Sequence, residues 1–320
     1  MKMTTLGKSD LQVPRLGVGA MTWGDPSGLA RFHPSRLAYG GAHGFDEERS
    51  ALEESIAAGV NFIDTAAMYG GGASERRLGE LIQGRNVLIA TKFPPGLRSR
   101  AEDLPQALEA SLARLGRGSV DLYQHHFPTS WISIPELMER MADAVETGKV
   151  KAVGVSNYTA EQMRLAHSAL ARRGIPLASN QVEYSLLHRH PEVNGVLNTC
   201  RELGVTLIAY QPLAMGALTG KYREGCKPRG VRRLMGQFRG KGLETITSVV
   251  ALLREIGERY SKTSAQVALR WLIENEVVLP IPGAKNSMQA IENAGALSFS
   301  LTQAEIEALN QVTKTKGTIQ

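Results

Sequence analysis

The chain has 320 residues, of which 42% are hydrophobic and 21% charged, and a formal net charge of +6. These are the proportions of a globular protein, and they exclude collagen-like, coiled-coil and disordered chains. Two cysteines without CxxC spacing exclude a disulfide framework and a zinc ribbon, and no apolar run approaches the ~20 residues of a membrane span, so we expect a cytoplasmic protein with no metal site and no membrane partner.

Short apolar, β-rich runs alternate with longer amphipathic segments along the whole chain. Residues 3–14 place a Gly-Lys-Ser-Asp turn between β-prone stretches, which predicts an N-terminal hairpin. Eight runs bounded by Gly, Pro, Asn, Asp or Ser predict strands at 16–20, 60–63, 87–91, 120–123, 150–155, 177–182, 205–210 and 277–281. Apolar residues at helical spacing predict helices at 47–59, 74–82, 103–115, 135–147, 160–173, 193–203, 243–260 and 264–274.

This alternation predicts a closed (β/α)8 barrel, since parallel strands are joined by crossover helices. We expect a single domain over residues 1–320, with the hairpin capping the bottom of the barrel. Long loops follow the first strand, at 24–45, and the seventh, at 221–242. The alternative is an open doubly wound sheet, which is less favoured because the nearest dinucleotide-binding glycine pattern, at 17–22, is not followed at once by a helix.

Ionisable side chains follow three neighbouring strands of the predicted barrel. Asp64 ends the second strand, with Tyr69 five residues further on; Lys92 ends the third, and His125 and His126 end the fourth. The carboxyl ends of the strands form the active site of such a barrel. The sequence therefore predicts that an aspartate, a tyrosine, a lysine and a histidine meet there.

The segments that carry these residues resemble the aldo-keto reductase family. Residues 62–70 resemble its Asp-and-Tyr signature, 90–92 its lysine strand, 120–128 its histidine strand and 153–158 its Ser-Asn strand. Further segments follow in family order at 180–184, 209–213, 281–285 and 292–293, so the resemblance runs from Leu6 to about Asn293.

The resemblance implies an NADPH-dependent enzyme that reduces aldehydes or ketones to alcohols. Tyr69 would donate the proton, and the ammonium of Lys92 would lower the pKa of its hydroxyl. Asp64 would keep Lys92 charged and in place. His126 would orient the substrate carbonyl, because adjacent strand residues face opposite ways and the family pattern assigns the inward position to His126.

The resemblance also implies the binding residues. The nicotinamide cofactor would contact Ser156, Asn157, Gln181, Tyr210, Gln211, Leu213, Gly216, Leu218, Lys221, Gly283, Lys285, Gln289, Glu292 and Asn293. Many members have Arg at the position of Gln289, so Lys285 or the basic segment 221–241 would supply that charge for NADP(H). The carbonyl substrate would contact Trp23, Tyr39, Phe127 and Trp131.

Two other functions stay open at this point. One is a nicotinamide-binding regulatory subunit, since potassium-channel β-subunits resemble this family. The other is a lyase that forms a Schiff base on Lys92. The basic segment 221–241 has no series of aromatic residues on which bases could stack and no recognised nucleic-acid-binding module, which argues against nucleic acid as a partner. The sequence does not distinguish a monomer from a homo-oligomer.

Overall fold

The structure is a computed structural model that describes residues 3–25, 44–94, 96, 99–222, 225–226, 228 and 230–315. Tyr39, one of the predicted substrate contacts, lies outside these residues, as do most of the loop 24–45 and parts of the segment 221–241. The predicted N-terminal hairpin is confirmed. Strands β1 (Met3–Thr5) and β2 (Gln12–Pro14) pair antiparallel, with Met3 opposite Pro14.

Within the described residues, eight parallel strands follow one another around a single sheet in chain order. They are β3 (Val18–Gly19), β4 (Phe62–Asp64), β5 (Leu88–Phe93), β6 (Val120–His125), β7 (Val150–Ser156), β8 (Leu177–Glu183), β9 (Thr206–Tyr210) and β10 (Val278–Pro280). Gly17 N and Gly19 N donate to Pro280 O and Pro282 O, both at 3.0 Å, so the first strand also meets the last. The predicted (β/α)8 barrel, with all eight strands, is confirmed.

Helices lie between the strands and after the last one, as the crossover topology requires. They are α1 (Phe45–Ala57), α2 (Ala73–Leu81), α3 (Leu104–Leu115), α4 (Ile134–Glu146), α5 (Ala160–Ala171), α6 (His190–Val193), α7 (Val196–Leu203), α8 (Gly240–Tyr260), α9 (Ser264–Glu274), α10 (Ser287–Ala294) and α11 (Gln303–Thr315). In the described part of the chain, none of them is long and apolar enough to cross a membrane.

Three features of the helices differ from the prediction. The helix predicted at 193–203 begins only at Val196, as α7, because Gly195 before it takes a left-handed conformation with φ 84°, and the short helix α6 precedes it. Helices α10 and α11 were not predicted. The segment 221–242 was predicted as a loop, but it contains short 3-10 turns at Gly230–Leu234 and Gly236–Phe238, and α8 already begins at Gly240.

The hairpin closes the amino-terminal end of the barrel. Its apolar residues Leu6, Leu11 and Val13 join a core cluster with the inward-facing strand residues, among them Phe62 and Leu122. Gly7 N donates to Thr206 Oγ1 of β9 at 2.8 Å. This end is therefore filled with side chains, which leaves the carboxyl ends of the strands as the open end.

Arg15 fastens the barrel to the end of α9. Its guanidinium donates to the carbonyl oxygens of Ile273 at 2.5 Å, Asn275 at 3.0 Å and Glu276 at 2.6 Å. Ile273 lies in the last turn of α9 and Asn275 is its C-cap residue, so these two carbonyls have no partner inside the helix, and Glu276 follows directly. Arg15 thus caps α9 from a residue more than two hundred positions away in the sequence.

Candidate active site

A cavity of about 700 Å³ opens at the carboxyl ends of the strands, where barrel enzymes have their active sites. Most of the predicted site residues line it. They are Asp64, Tyr69, His126, Phe127, Ser156, Asn157, Gln181, Tyr210, Gln211, Leu213, Gly216, Lys221, Gly283, Lys285, Gln289, Glu292 and Asn293. Lys92 does not line the cavity itself but contacts Asp64 and Tyr69, which do.

Lys92 is the centre of the ionisable group. Its side chain is fully buried, and Nζ donates to Asp64 Oδ1 at 2.5 Å, to the carbonyl oxygen of Thr65 at 2.8 Å and to the Tyr69 hydroxyl at 3.3 Å. The three ammonium hydrogens each have an acceptor. Since the Tyr69 oxygen accepts from Lys92, its own proton is left for an acceptor in the cavity, and none of the described residues takes it.

Asp64 is held on its other side by two amides. Its Oδ2 accepts from Gln181 Nε2 at 2.8 Å and from Gln124 Nε2 at 3.2 Å. These bonds fix the orientation of the Gln181 amide, whose NH2 group points inward. Gln124 is not among the predicted site residues, although the two-residue alternation of a strand puts it on the same inner face as His126.

The surroundings raise the pKa of both Lys92 and Tyr69. Burial alone would lower the pKa of Lys92, but the charge of Asp64 and the contact with Tyr69 outweigh it. For Tyr69, burial raises the pKa by more than Lys92 lowers it. The expectation of a lowered tyrosine pKa is therefore corrected: Lys92 does act in that direction, but burial dominates, so Tyr69 is protonated at neutral pH.

Of the two adjacent histidines, His126 faces the cavity. Its ring meets the Tyr69 ring edge-on, with the centroids 5.6 Å apart, and stacks on Phe127 at 4.4 Å. Burial, with smaller contributions from Lys92 and His125, lowers the pKa of His126 to about 2, so its imidazole is neutral. His125 points away, with Nδ1 2.8 Å from the Tyr158 hydroxyl.

A chain of polar contacts connects β7, β8 and β9 along one wall of the cavity. Ser156 Oγ donates to Gln181 O at 2.9 Å, and Asn157 Nδ2 donates to Ser156 Oγ at 3.0 Å. The Tyr210 hydroxyl donates to Asn157 Oδ1 at 3.1 Å. The predicted residues of three strands thus form one connected surface.

The backbone beside this wall is strained. Among the described non-glycine residues, five have positive φ, and four of them follow β7 or β9: Asn157, Gln211, Ala214 and Met215. Such a conformation costs of order 1–3 kcal/mol for each residue and is found mainly at functional sites. The fold therefore holds these segments in a shape that they would not adopt alone.

Positive charge gathers at the other end of the cavity. Lys221, Arg232 and Lys285 line it together, and burial and the charges of Arg232 and Lys221 lower the pKa of Lys285. Arg232 Nη1 donates to Met215 O at 3.1 Å, while its buried Nε has no partner among the described residues. An anionic group fits here. Arg232 lies in the predicted basic segment but was not singled out.

The helix α10 borders this positive end. Its N-cap residue Asn286 accepts from Gln289 N at 3.0 Å, and Gln289 Oε1 accepts from Lys285 N at 3.0 Å. Asn293 Nδ2 donates to Gly283 O at 3.2 Å. Gln289 thus shapes the loop after β10 instead of adding a charge to it.

Three predicted contacts do not line the cavity. Trp23 is only 2% exposed and its indole N–H donates to Ala284 O at 2.8 Å, so it packs in the core and the expected substrate contact is corrected. Leu218 is also fully buried in the core. Trp131 is 51% exposed outside the cavity, whereas Met21, Thr22 and Met68, which were not predicted, line it with Phe127.

Comparisons with known proteins agree with this arrangement. The model of the Aldo/keto reductase family matches residues 15–314. Aldo-keto reductase str7 of Strobilurus tenacellus is 35% identical over 313 residues, which cover 94% of this chain and 89% of that protein. The chloroplastic pyridoxal reductase of Arabidopsis thaliana is 36% identical over 312 residues, covering 92% and 82%.

Solved structures agree as well. The thermostable aldo-keto reductase Tm1743, in complex with the inhibitor epalrestat, has a TM-score of 0.76 and 29% identity, covering 98% of this chain and all of the other. Glycerol dehydrogenase AKR11B4 of Gluconobacter oxydans has a TM-score of 0.82, with coverage of 98% and 95%; at 24% identity it supports the fold alone.

Proposed function

Because the chain belongs to the aldo/keto reductase family, an oxidoreductase family that acts on carbonyl compounds, we propose that it is an NADPH-dependent enzyme that reduces aldehydes or ketones to alcohols. The observation that carries the proposal is the contact between Lys92 Nζ and the Tyr69 oxygen at 3.3 Å. It leaves the tyrosine proton directed to the cavity, where a carbonyl oxygen would accept it.

The proton transfer follows from these contacts. A reduced nicotinamide, when bound, would supply the hydride for the carbonyl carbon. The electron pair of the carbonyl π bond moves to the oxygen, which takes the proton of Tyr69. Lys92 stabilises the phenolate that remains, and Asp64 keeps Lys92 charged. General acid catalysis of this kind contributes typically 10²–10⁴-fold in rate.

His126 would hold the same oxygen from a second direction. A neutral imidazole has one N–H to donate, and its ring lies beside that of Tyr69. Two donors that converge on one oxygen stabilise the negative charge that develops there. Phe127, stacked on His126 and 40% exposed, extends an apolar surface for the rest of the substrate.

The remaining cavity residues would hold the cofactor. Ser156, Asn157 and Gln181 would contact the nicotinamide amide, Tyr210 would lie against its ring, and the residues from Gln211 to Gly216 would follow the pyrophosphate. Lys221, Arg232 and Lys285 would bind phosphate oxygens. The pyrophosphate carries two negative charges, and three cations line this end of the cavity. The additional cation supports NADP(H), whose further phosphate group it would bind, although Gln289 has no charge.

The geometry argues against the lyase alternative. A Schiff base requires a neutral amine as nucleophile. Lys92 has a raised pKa, and Asp64, Thr65 and Tyr69 each accept one of its hydrogen bonds. An ammonium group bound in this way has no lone pair for a carbonyl carbon.

The experiment is a comparison of NADPH with NADH on the isolated protein. Binding is measured by fluorescence titration, and turnover by nicotinamide absorbance with a panel of neutral aldehydes and ketones that includes pyridoxal, the substrate in the name of one relative. We expect tighter binding of NADPH and carbonyl-dependent oxidation. Tight binding without turnover on any carbonyl would instead support a regulatory subunit.

A further inference from the structure

Two threonines stand directly behind the charged pair of the site. Asp64 and Lys92 face the interior of the barrel, so their neighbours in the chain, Thr65 and Thr91, face the surrounding helices. We propose that Ser74 and Glu75, consecutive residues in the first turn of α2, hold these two threonines and are thereby positioning residues for Tyr69 and Lys92. This inference rests on the proposed reduction mechanism.

Ser74 connects three parts of the site. Its side chain is fully buried, and Oγ donates to Ala20 O at 2.7 Å and lies 2.8 Å from Thr65 Oγ1. A serine hydroxyl has one hydrogen, so Thr65 must donate to Ser74. Thr65 is also the residue whose carbonyl oxygen accepts from Lys92. The backbone N–H of Ser74 donates to the Tyr69 carbonyl oxygen at 3.3 Å.

Glu75 holds the other threonine. Its side chain is fully buried, and Oε1 accepts from Thr91 Oγ1 at 2.6 Å while Oε2 accepts from Arg114 Nε, also at 2.6 Å. A buried carboxylate is costly unless it is paired and hydrogen-bonded, and both oxygens are. The mechanism does not use this charge, and it lies outside the cavity lining.

The contacts of Ser74 with Thr65 and of Glu75 with Thr91 form what we call the clamp. The segment between Tyr69 and α2 makes this clamp necessary. Gly70, Gly71 and Gly72 all have positive φ, of 60°, 64° and 84°, and glycine gives the backbone little stiffness of its own. The position of Tyr69 therefore depends on the contacts at the ends of this segment. Ser74 fixes the end of this segment at Tyr69. Glu75, in the same helical turn, fixes the strand that carries Lys92 through its contact with Thr91.

The test removes each hydroxyl with little change in shape, in Thr91→Val, Thr65→Val and Ser74→Ala, on the full chain. Misplacement of a catalytic group by about 1 Å can reduce a rate by roughly a hundredfold. Loss of one hydroxyl of the clamp should displace Tyr69 or Lys92 by less than that, so we expect kcat to fall roughly tenfold. NADPH affinity and the KM for the carbonyl should stay within about twofold, since the cavity lining is unchanged.

A pH profile separates positioning from a loss of stability. Lys92 lowers the pKa of Tyr69, so its withdrawal raises that pKa. Alcohol oxidation needs the tyrosine deprotonated, and its rising limb should therefore move to higher pH in the variants. Thr91→Ser, which keeps the hydroxyl, should restore the parent kcat and profile. Ser55→Ala removes a buried hydroxyl in α1 that donates only to Ala51 O, and should change neither.

The outcomes are distinguishable. A parent protein without nicotinamide-dependent turnover would overturn the proposed function itself. If the parent turns over and the hydroxyl deletions keep its kcat per bound cofactor and its pH profile, the clamp is refuted. The same holds if they lose activity only in proportion to the unfolded fraction, as measured by cofactor titration.

Discussion

The ammonium of Lys92, which is fully buried, donates to the hydroxyl oxygen of Tyr69, 3.3 Å away, and Tyr69 is half-buried in the lining of the cavity. The direction of this bond decides which proton is available. Lys92 donates its ammonium hydrogens to Asp64, Thr65 and Tyr69, whereas the hydroxyl hydrogen of Tyr69 has no acceptor among the described residues.

Lys92→Met should leave the Asp64 carboxylate buried without its counter-ion. Breaking a buried pair from one side costs about 3–5 kcal/mol, so we expect the free energy of unfolding in urea to fall by that order. Adding Asp64→Asn should recover much of the loss, and neither variant should reduce carbonyls. Lys149→Met, at the exposed pair with Glu109, is the control and should cost less than about 1 kcal/mol. Equal losses at Lys92 and Lys149 would refute the pairing.

His126 should make the fold sensitive to acid. Burial holds its pKa at about 2, against an ordinary value of 6.5, so below pH 6.5 the unfolded chain binds a proton that the folded chain does not. The free energy of unfolding then falls as the pH falls, by about 1.4 kcal/mol per pH unit for this group. His126→Gln should flatten the urea-derived stability profile by that slope between about pH 6 and pH 5. Parallel profiles would contradict the buried neutral imidazole.

Arg232→Ala should weaken NADPH more than NADH. Hydrogen bonds to charged groups are worth about 1.5–3 kcal/mol, so the NADPH dissociation constant should rise at least about tenfold. Arg233→Ala makes the same change of charge at the neighbouring exposed residue and should have little effect. Isothermal titration with both cofactors gives the comparison. Equal losses for NADPH and NADH would mean that the positive end does not recognise the additional phosphate.

Arg15→Met should lower stability without altering the site. The substitution removes three hydrogen bonds to carbonyls at the end of α9, and we expect a loss of about 2–3 kcal/mol in the free energy of unfolding. Kinetic constants of the folded fraction should match the parent. Arg49→Met, at an exposed pair with Asp46, serves as the control, with an expected change below about 1 kcal/mol. Similar losses of stability in Arg15→Met and Arg49→Met would contradict the capping role of Arg15.

Local pattern was enough to predict the strands and the positions of the four ionisable residues. Strand periodicity is two, so it also separates His126 from His125 and could have identified Gln124. The helices α10 and α11 were missed, although polar side chains cap them: Asn286 accepts from Gln289 N, and Thr302 Oγ1 accepts from Glu305 N. These capping residues were available in the sequence.

Other features depend on tertiary structure. Trp23 follows the first barrel strand, and only the fold shows that its indole reaches the carbonyl of Ala284 after the last strand. The pKa of Tyr69 was expected to fall because Lys92 was the sole influence that the sequence suggested. Burial, which raises it, is a property of the assembled barrel.

The most direct measurement is the single-turnover rate of carbonyl reduction by Tyr69→Phe with saturating NADPH. Tyr123→Phe makes the same change at a buried tyrosine that faces the helices, and whose hydroxyl has no partner in the described part of the chain. We expect Tyr69→Phe to bind NADPH like the parent and to lose at least about a hundredfold in rate, while Tyr123→Phe keeps it. A Tyr69→Phe variant that retains most of the parent rate would contradict Tyr69 as the proton donor.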